Sequence, residues 1–151
     1  AGFGWAKPVP INPYALRRKT PAGTMLVSVA GPLTNLLLAT LGALLIRFGV
    51  ASIYTQPRSV FPTLGGFLLE FVYINVALFL FNLIPLAPLD GEKVLEYLLP
   101  AQWREGFYKI RQYGPIFLLL LVIVGPQIGF DLFGTIIREP LMRITRFLIG
   151  A

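Results

Sequence analysis

Between Met25 and Ile46 the chain carries 22 consecutive residues without a charged side chain. At a rise of about 1.5 Å per residue, a helix of that length crosses a hydrocarbon layer roughly 30 Å thick. Inside a bilayer no water answers the backbone N–H and C=O groups, so a crossing segment must pair them internally, as a helix does. A second apolar block runs from Ser59 through Leu89, broken only by Glu70, and a third lies within Tyr113–Phe133. Of the 151 residues, 56% are hydrophobic and 13% charged. Soluble domains carry about 45–50% apolar and about 25% charged residues, so this chain cannot coat a water-soluble globule. The sequence predicts an all-α membrane protein.

As a single membrane-embedded domain, residues 1–151 divide into a Pro-rich loop or hairpin (1–21), spans at 23–47 and 63–84, a turn with a short helix (85–100), a third span (113–133) and an amphipathic tail (134–151). Prolines 8, 10, 13 and 21 bar a regular helix from the first segment, which is expected to enter the membrane surface as an extended loop. Gly31-Pro32 is expected to loosen or kink the first span, and Asn35 to find a partner in another helix. Asn75 and Asn82, two turns apart, lie near one face of the second span. Pro85 and Pro88 stop the helix, and Gly91–Leu99 reads as a short amphipathic helix with Glu92, Lys93 and Glu96 toward water. From Gly134 on, Ile136, Ile137, Leu141, Ile144, Phe147 and Leu148, set among Arg138, Arg143 and Arg146, suit a basic amphipathic helix lying on the bilayer surface.

The 13 basic residues outnumber the 7 acidic ones. With no soluble basic groove in sight, the excess reads as positive-inside bias rather than nucleic-acid binding. Three spans place 1–21 and 85–112 on one side with eight of the basic residues, against five on the other, and so predict that these loops are cytoplasmic. The chain has no Cys and no His, which excludes a thiol nucleophile, a disulfide, a Ser-His-Asp triad and any histidine metal ligand from within it. Ala1 is not Met and 1–10 is no signal peptide, so the chain is expected to be processed or an internal piece of a longer protein.

The residue that most needs a reason is Asp90, in Asn82-Leu-Ile-Pro85-Leu-Ala-Pro88-Leu-Asp90-Gly91. A carboxylate at or near membrane depth is costly. It can serve as a metal ligand or proton carrier, or more simply as the N-cap of a helix starting at Gly91. A catalytic zinc usually takes three protein ligands, so Asp90 would need partners from outside this chain.

The run N-x-x-P-x-x-P-x-D-G resembles the second signature of the site-2 protease family of intramembrane zinc metalloproteases. Two further stretches match in order: Gly4-Trp5-Ala6-Lys7-Pro8-Val9-Pro10-Ile11-Asn12-Pro13 is similar to the family's G-W-A-K-P-V-P loop, and Ala30-Gly31-Pro32-Leu33-Thr34-Asn35 to its A-G-P-x-x-N span. The resemblance implies that Asp90 is the third ligand of a Zn2+ ion whose two His come from an H-E-x-x-H helix upstream of residue 1. It implies that Asn82 lies beside the active site as a catalytic group positioning substrate or the oxyanion. Pro85, Pro88 and Gly91 would shape the turn that aims Asp90, and Asn35 would pack in the catalytic core. Trp5, Lys7 and Pro8 would belong to a loop that takes an extended segment of a transmembrane protein substrate by strand addition. Ala87 stands where many members of the family have a third proline.

Read without the resemblance, Trp5 and Lys7 serve as interface anchors, Asn35 and Asn75 as interhelical glue, and Asn82 as a cap for carbonyls freed by Pro85. The implied function is that of a zinc-dependent intramembrane endopeptidase, inactive in this portion alone. A non-catalytic homologue holding a membrane client, and a transporter subunit with Asn75, Asn82 and Asp90 along a polar path, are the alternatives.

Overall fold

A computed structural model describes residues 22–50 and 63–150. It is all-helical, and among the described residues there is no strand. The loop over 1–21, and with it Trp5, Lys7 and Pro8, lies outside the described residues.

Helix α1 (Gly23–Arg47) and helix α2 (Leu64–Asn82) are each long and apolar enough to cross a membrane. They pack on each other through small and β-branched side chains. Ala39, Ala43 and Ile46 of α1 meet Leu68, Val72 and Val76 of α2, and all six are buried. The spacings follow helical faces, i to i+4 to i+7 on α1 and i to i+4 to i+8 on α2. Gly42 sets the distance between the helices: a Cβ there would stand 3.0 Å from Phe71 Cδ1 and 3.1 Å from Val72 Cγ2. Close backbone approach at small residues is how helices gain van der Waals contact where lipid removes the hydrophobic drive. Leu33, Leu37 and Leu41 of α1, with Phe67 and Ile74 of α2, remain exposed on the outer surfaces, as lipid-facing residues must.

The polar residues of the spans are answered locally. The hydroxyls of Thr34 and Thr40 donate to the carbonyls of Ala30 and Leu36, each at 2.8 Å. The amides of Asn75 and Asn82 donate to Phe71 and Leu78, at 2.8 and 2.9 Å. None of these bonds crosses between helices, and Asn35 makes no hydrogen bond among the described residues. The interhelical role expected of Asn75 is therefore replaced by back-bonding within one turn, that expected of Asn35 is not seen among the described residues, and Asn82 answers Leu78 rather than a carbonyl freed by Pro85. Pro32 is held inside α1 and fully buried, and the helix runs on through it.

Beyond α2 the chain turns through 83–89 into α3 (Asp90–Leu98), then α4 (Ala101–Arg111) and α5 (Gly114–Ile123). The third apolar block is thus not one helix over 113–133. Its helix ends at Ile123, a 3-10 turn follows over Gly125–Ile128, and Gly129 is left-handed at φ 84°. Pro126 lacks the N–H that α5 would need to continue, and the left-handed glycine reverses the chain. Helices α4 and α5 meet at 63° and together make a third crossing if the bent pair is one span.

A π-helical stretch (Leu132–Ile137) leads into α6 (Arg138–Ile149). Ile137 and Leu141 are buried in the α1–α2 core. The tail expected on the bilayer surface therefore puts its apolar stripe against protein, while Arg143 and Phe147 stay exposed.

Replacing Gly42 with Leu should force the two spans apart and destabilise the chain by about 1–3 kcal/mol, the usual cost of overpacking. Titration of the detergent-solubilised chain with dodecyl sulfate, followed by circular dichroism, measures it; an unchanged midpoint would show that the helices do not meet at Gly42.

Candidate active-site end of the bundle

The turn after α2 is built around Gly91. A Cβ at Gly91 would run into the carbonyl oxygens of Leu83 and Ile84, the two residues that follow Asn82. Only glycine lets the start of α3 sit on the frayed end of α2 in this way. Ala87 and Leu89 are buried within the turn, and the Ala87–Pro88 peptide is cis. Gly114, the first residue of α5, rests on Ala87: a Cβ there would stand 2.6 Å from the Ala87 Cβ. The end of α2, the start of α3 and the start of α5 are thereby fixed to one another.

Asp90 is the first residue of α3, with Leu89 in the capping position. The simpler expectation, a cap for a helix starting at Gly91, is displaced by one residue, and no side-chain capping bond is made there. The Asp90 carboxylate faces α1: its Oδ2 lies 3.0 Å from where a Cβ of Gly31 would stand. Its Oδ1 is 3.8 Å from Lys93 Nζ, and the Asp90 side chain is 34% exposed. A long, partly solvated pair of this kind is a weak one. Thus one carboxylate, held at a helix N-terminus, faces the bare backbone of Gly31 in the A-G-P-x-x-N run, and Asn35 follows one turn later on the same face of α1. Two stretches that lie 59 residues apart, at Gly31 and Asp90, meet across the helix interface.

Asn82 closes α2 beside the carbonyls that carry Gly91, but its amide is spent on Leu78. Pro85 lines a cavity of about 350 Å³ with Leu86, Ala87, Leu95, Phe107 and Phe117, beneath the turn.

The expectation that Glu92, Lys93 and Glu96 face water fails for both carboxylates. Glu92 is 2% exposed and Glu96 9%, and both turn toward α4. Arg111 Nε lies 2.9 Å from Glu92 Oε1, without the alignment of a hydrogen bond, and its Nη1 lies 3.3 Å from Glu96 Oε2. The Tyr108 hydroxyl donates to Glu96 Oε1 at 2.7 Å. Burial raises the Glu92 carboxyl above its ordinary value of 4.5, opposed by the charges of Arg111 and Lys93 and reinforced by that of Glu96. Helical spacing alone could not reveal this cluster, because the partner lies in the next helix, beyond Pro100.

As a metal site the described residues supply one donor. Among them no group of three His, Cys, Asp or Glu converges, and the chain has neither His nor Cys. The donor itself suits a metal: an oxygen ligand with only a long ion pair, aimed at a gap that a side chain at Gly31 would fill.

These features define a helical integral-membrane chain with one carboxylate presented at the junction of two spans. Residues 48–124 match the model of peptidase family M50, and the chain belongs to that family, the site-2 protease family. It is 39% identical over 123 residues to "Putative zinc metalloprotease YwhC" of Bacillus subtilis (strain 168), a match covering 82% of this chain and 56% of that protein. It is 36% identical over 80 residues to "Putative zinc metalloprotease MJ0611" of Methanocaldococcus jannaschii, covering 52% of this chain and 36% of that protein. The chain thus spans little more than half the length of the first relative and about a third of the second. No solved structure gives a significant match.

A raised carboxyl binds its proton more tightly in the folded than in the unfolded chain, so its ionised form costs stability above that raised value. Relative to Glu92→Gln, the unsubstituted chain should gain stability as pH falls from above the raised value to 4.5 and then level off. Paired unfolding titrations across that range measure the difference; one that stays flat with pH would show that Glu92 titrates normally.

Proposed function

We propose that this chain is the portion of a zinc-dependent intramembrane endopeptidase that carries the third metal ligand, Asp90. The observation that carries the reading is the approach of the Asp90 carboxylate to Gly31, which joins two of the three family-like stretches at one place. The relatives' names support zinc and peptide hydrolysis for the intact protein.

In this reading the Asp90 carboxylate would supply one ligand, and the others would be two His on an H-E-x-x-H helix outside these 151 residues. A zinc ion held there supplies Lewis acidity toward a peptide carbonyl. The chain's own residues do the rest. Gly31 leaves space beside the carboxylate, and Gly91 fixes the turn that aims it. Asn82 exchanges its bond to Leu78 for substrate or a developing oxyanion. Lys93, 3.8 Å from the other carboxylate oxygen, stands beside Asp90 without binding it tightly. The loop with Trp5, Lys7 and Pro8, on the cytoplasmic side with 85–112, takes an unwound segment of a transmembrane substrate as an added strand.

The 3.8 Å pair between Asp90 and Lys93 favours one second reading, a non-catalytic homologue in which that pair is permanent and the groove only holds a client. Metal analysis of the protein expressed with its upstream coding sequence separates the two. The protease reading expects one zinc per chain, lost together with cleavage of a transmembrane reporter in Asp90→Asn. Retention of zinc in that variant, or its absence from the unsubstituted protein, would sink it. Gly31→Ala, which crowds Oδ2, should weaken zinc binding about 10–100-fold, as changes around a ligand do.

A further inference from the structure

At the other end of the bundle, Gly150 lies against Arg47: a Cβ there would stand 3.2 Å from the Arg47 Nε, so the C-termini of α6 and α1 meet. Between α2 and α6 at this end is a cavity of about 310 Å³ lined by Leu69, Glu70, Tyr73, Met142, Thr145, Arg146 and Ile149. Leu69, Tyr73, Met142 and Ile149 give it an apolar floor, with the carboxylate of Glu70 on the α2 side and the guanidinium of Arg146 on the α6 side. Glu70 and Arg146 do not pair with each other, and among the described residues neither makes an ion pair. Glu70 lies in the second turn of a helix apolar enough to cross a membrane, where an unanswered ionisable group is costly and marks a site. Thr145, in the same wall, is 6% exposed and its Oγ1 is buried without a hydrogen-bond partner.

Two opposite charges set on either side of a partly apolar cavity are complementary to a zwitterion with an apolar tail. We propose that this cavity binds the headgroup of phosphatidylethanolamine from the surrounding bilayer. The phosphate goes to Arg146, whose guanidinium fork fits phosphate oxygens, and the primary ammonium goes to Glu70. A choline headgroup has no N–H to donate to the carboxylate, and a purely anionic headgroup leaves Glu70 facing a like charge. The acyl chains run inward from the charged pair, along Met142 and the exposed apolar face of α2 at Ile74. The site is independent of Asp90 and of any metal.

The test is lipid retention. The chain is placed in nanodiscs of equal phosphatidylethanolamine, phosphatidylglycerol and phosphatidylcholine, extracted in mild detergent, and its bound lipid identified by native mass spectrometry. The unsubstituted chain should hold phosphatidylethanolamine about tenfold above its share, the factor one charge-assisted hydrogen bond sustains. Glu70→Gln should turn that preference toward phosphatidylglycerol, and Arg146→Gln should abolish retention of both. Both residues are exposed, so folding should be untouched, which thermal melting checks. Met142→Trp, which fills the cavity without altering charge, should also remove the enrichment. Lipid retained in the mixing ratio by the unsubstituted chain, or the same preference in Glu70→Gln, overturns the proposal.

Discussion

The contact on which the Asp90 end depends is the seat of Gly91 on the carbonyls of Leu83 and Ile84. Those carbonyls lie past the last full turn of α2, where helix ends leave acceptors unpaired. Because position 91 has no side chain, the next helix can start against them instead of swinging away. The direction of α3 follows, and with it the direction of the carboxylate one residue earlier. Any Cβ at position 91 would push the helix start outward and carry Asp90 away from Gly31. Gly114 then repeats the device, letting α5 begin on Ala87. Glycine at a helix start is ordinarily a weakness in propensity; here it is what allows three chain segments to share one corner.

That corner is braced from the side. Arg111 reaches from the end of α4 to both Glu92 and Glu96, and Tyr108 adds a hydrogen bond to Glu96. Two carboxyls share one guanidinium in a mostly apolar setting, and burial outweighs the attraction at Glu92. Such an arrangement contributes more to direction than to stability, since buried ion pairs seldom recover their desolvation cost in full. Its effect is to tie α4 to the same short helix that begins with Asp90.

Much of this was legible from residues. The uncharged run over 25–46 required a helix, and the structure has one from Gly23 to Arg47. Pro85, Pro88 and Pro100 bracketed a turn and a short helix, observed as α3. The meeting of Gly31 with Asp90 was readable only through the family resemblance, because nothing in local periodicity links two stretches in different helices. Three features differ from the local pattern, two because a partner distant in sequence changes its meaning and one because a nearer acceptor lies in the same helix. Glu92 and Glu96 read as solvated until Arg111 is placed beside them. Asn75 read as a bridge between helices because its own Phe71 carbonyl was not weighed as the nearer acceptor. The amphipathic tail read as a surface helix, yet a stripe of Ile137 and Leu141 satisfies itself as well against two spans as against lipid.

The two ends of the bundle differ in how they treat charge, and the difference follows from which side chains are available. At the Asp90 end every buried charge has a protein partner close by, so the ionic groups can fix geometry. At the Arg47 end Glu70 and Arg146 share a cavity without touching, and Thr145 keeps a buried hydroxyl unanswered. In a bilayer the nearest abundant source of a paired cation and anion is a lipid headgroup, so an open ionic gap facing lipid is less a flaw in packing than a place kept for one. The α1–α2 contact at Gly42 lies toward the Arg47 end, against Phe71 and Val72, the neighbours of Glu70 and Tyr73, so the tight seam backs the cavity's α2 wall.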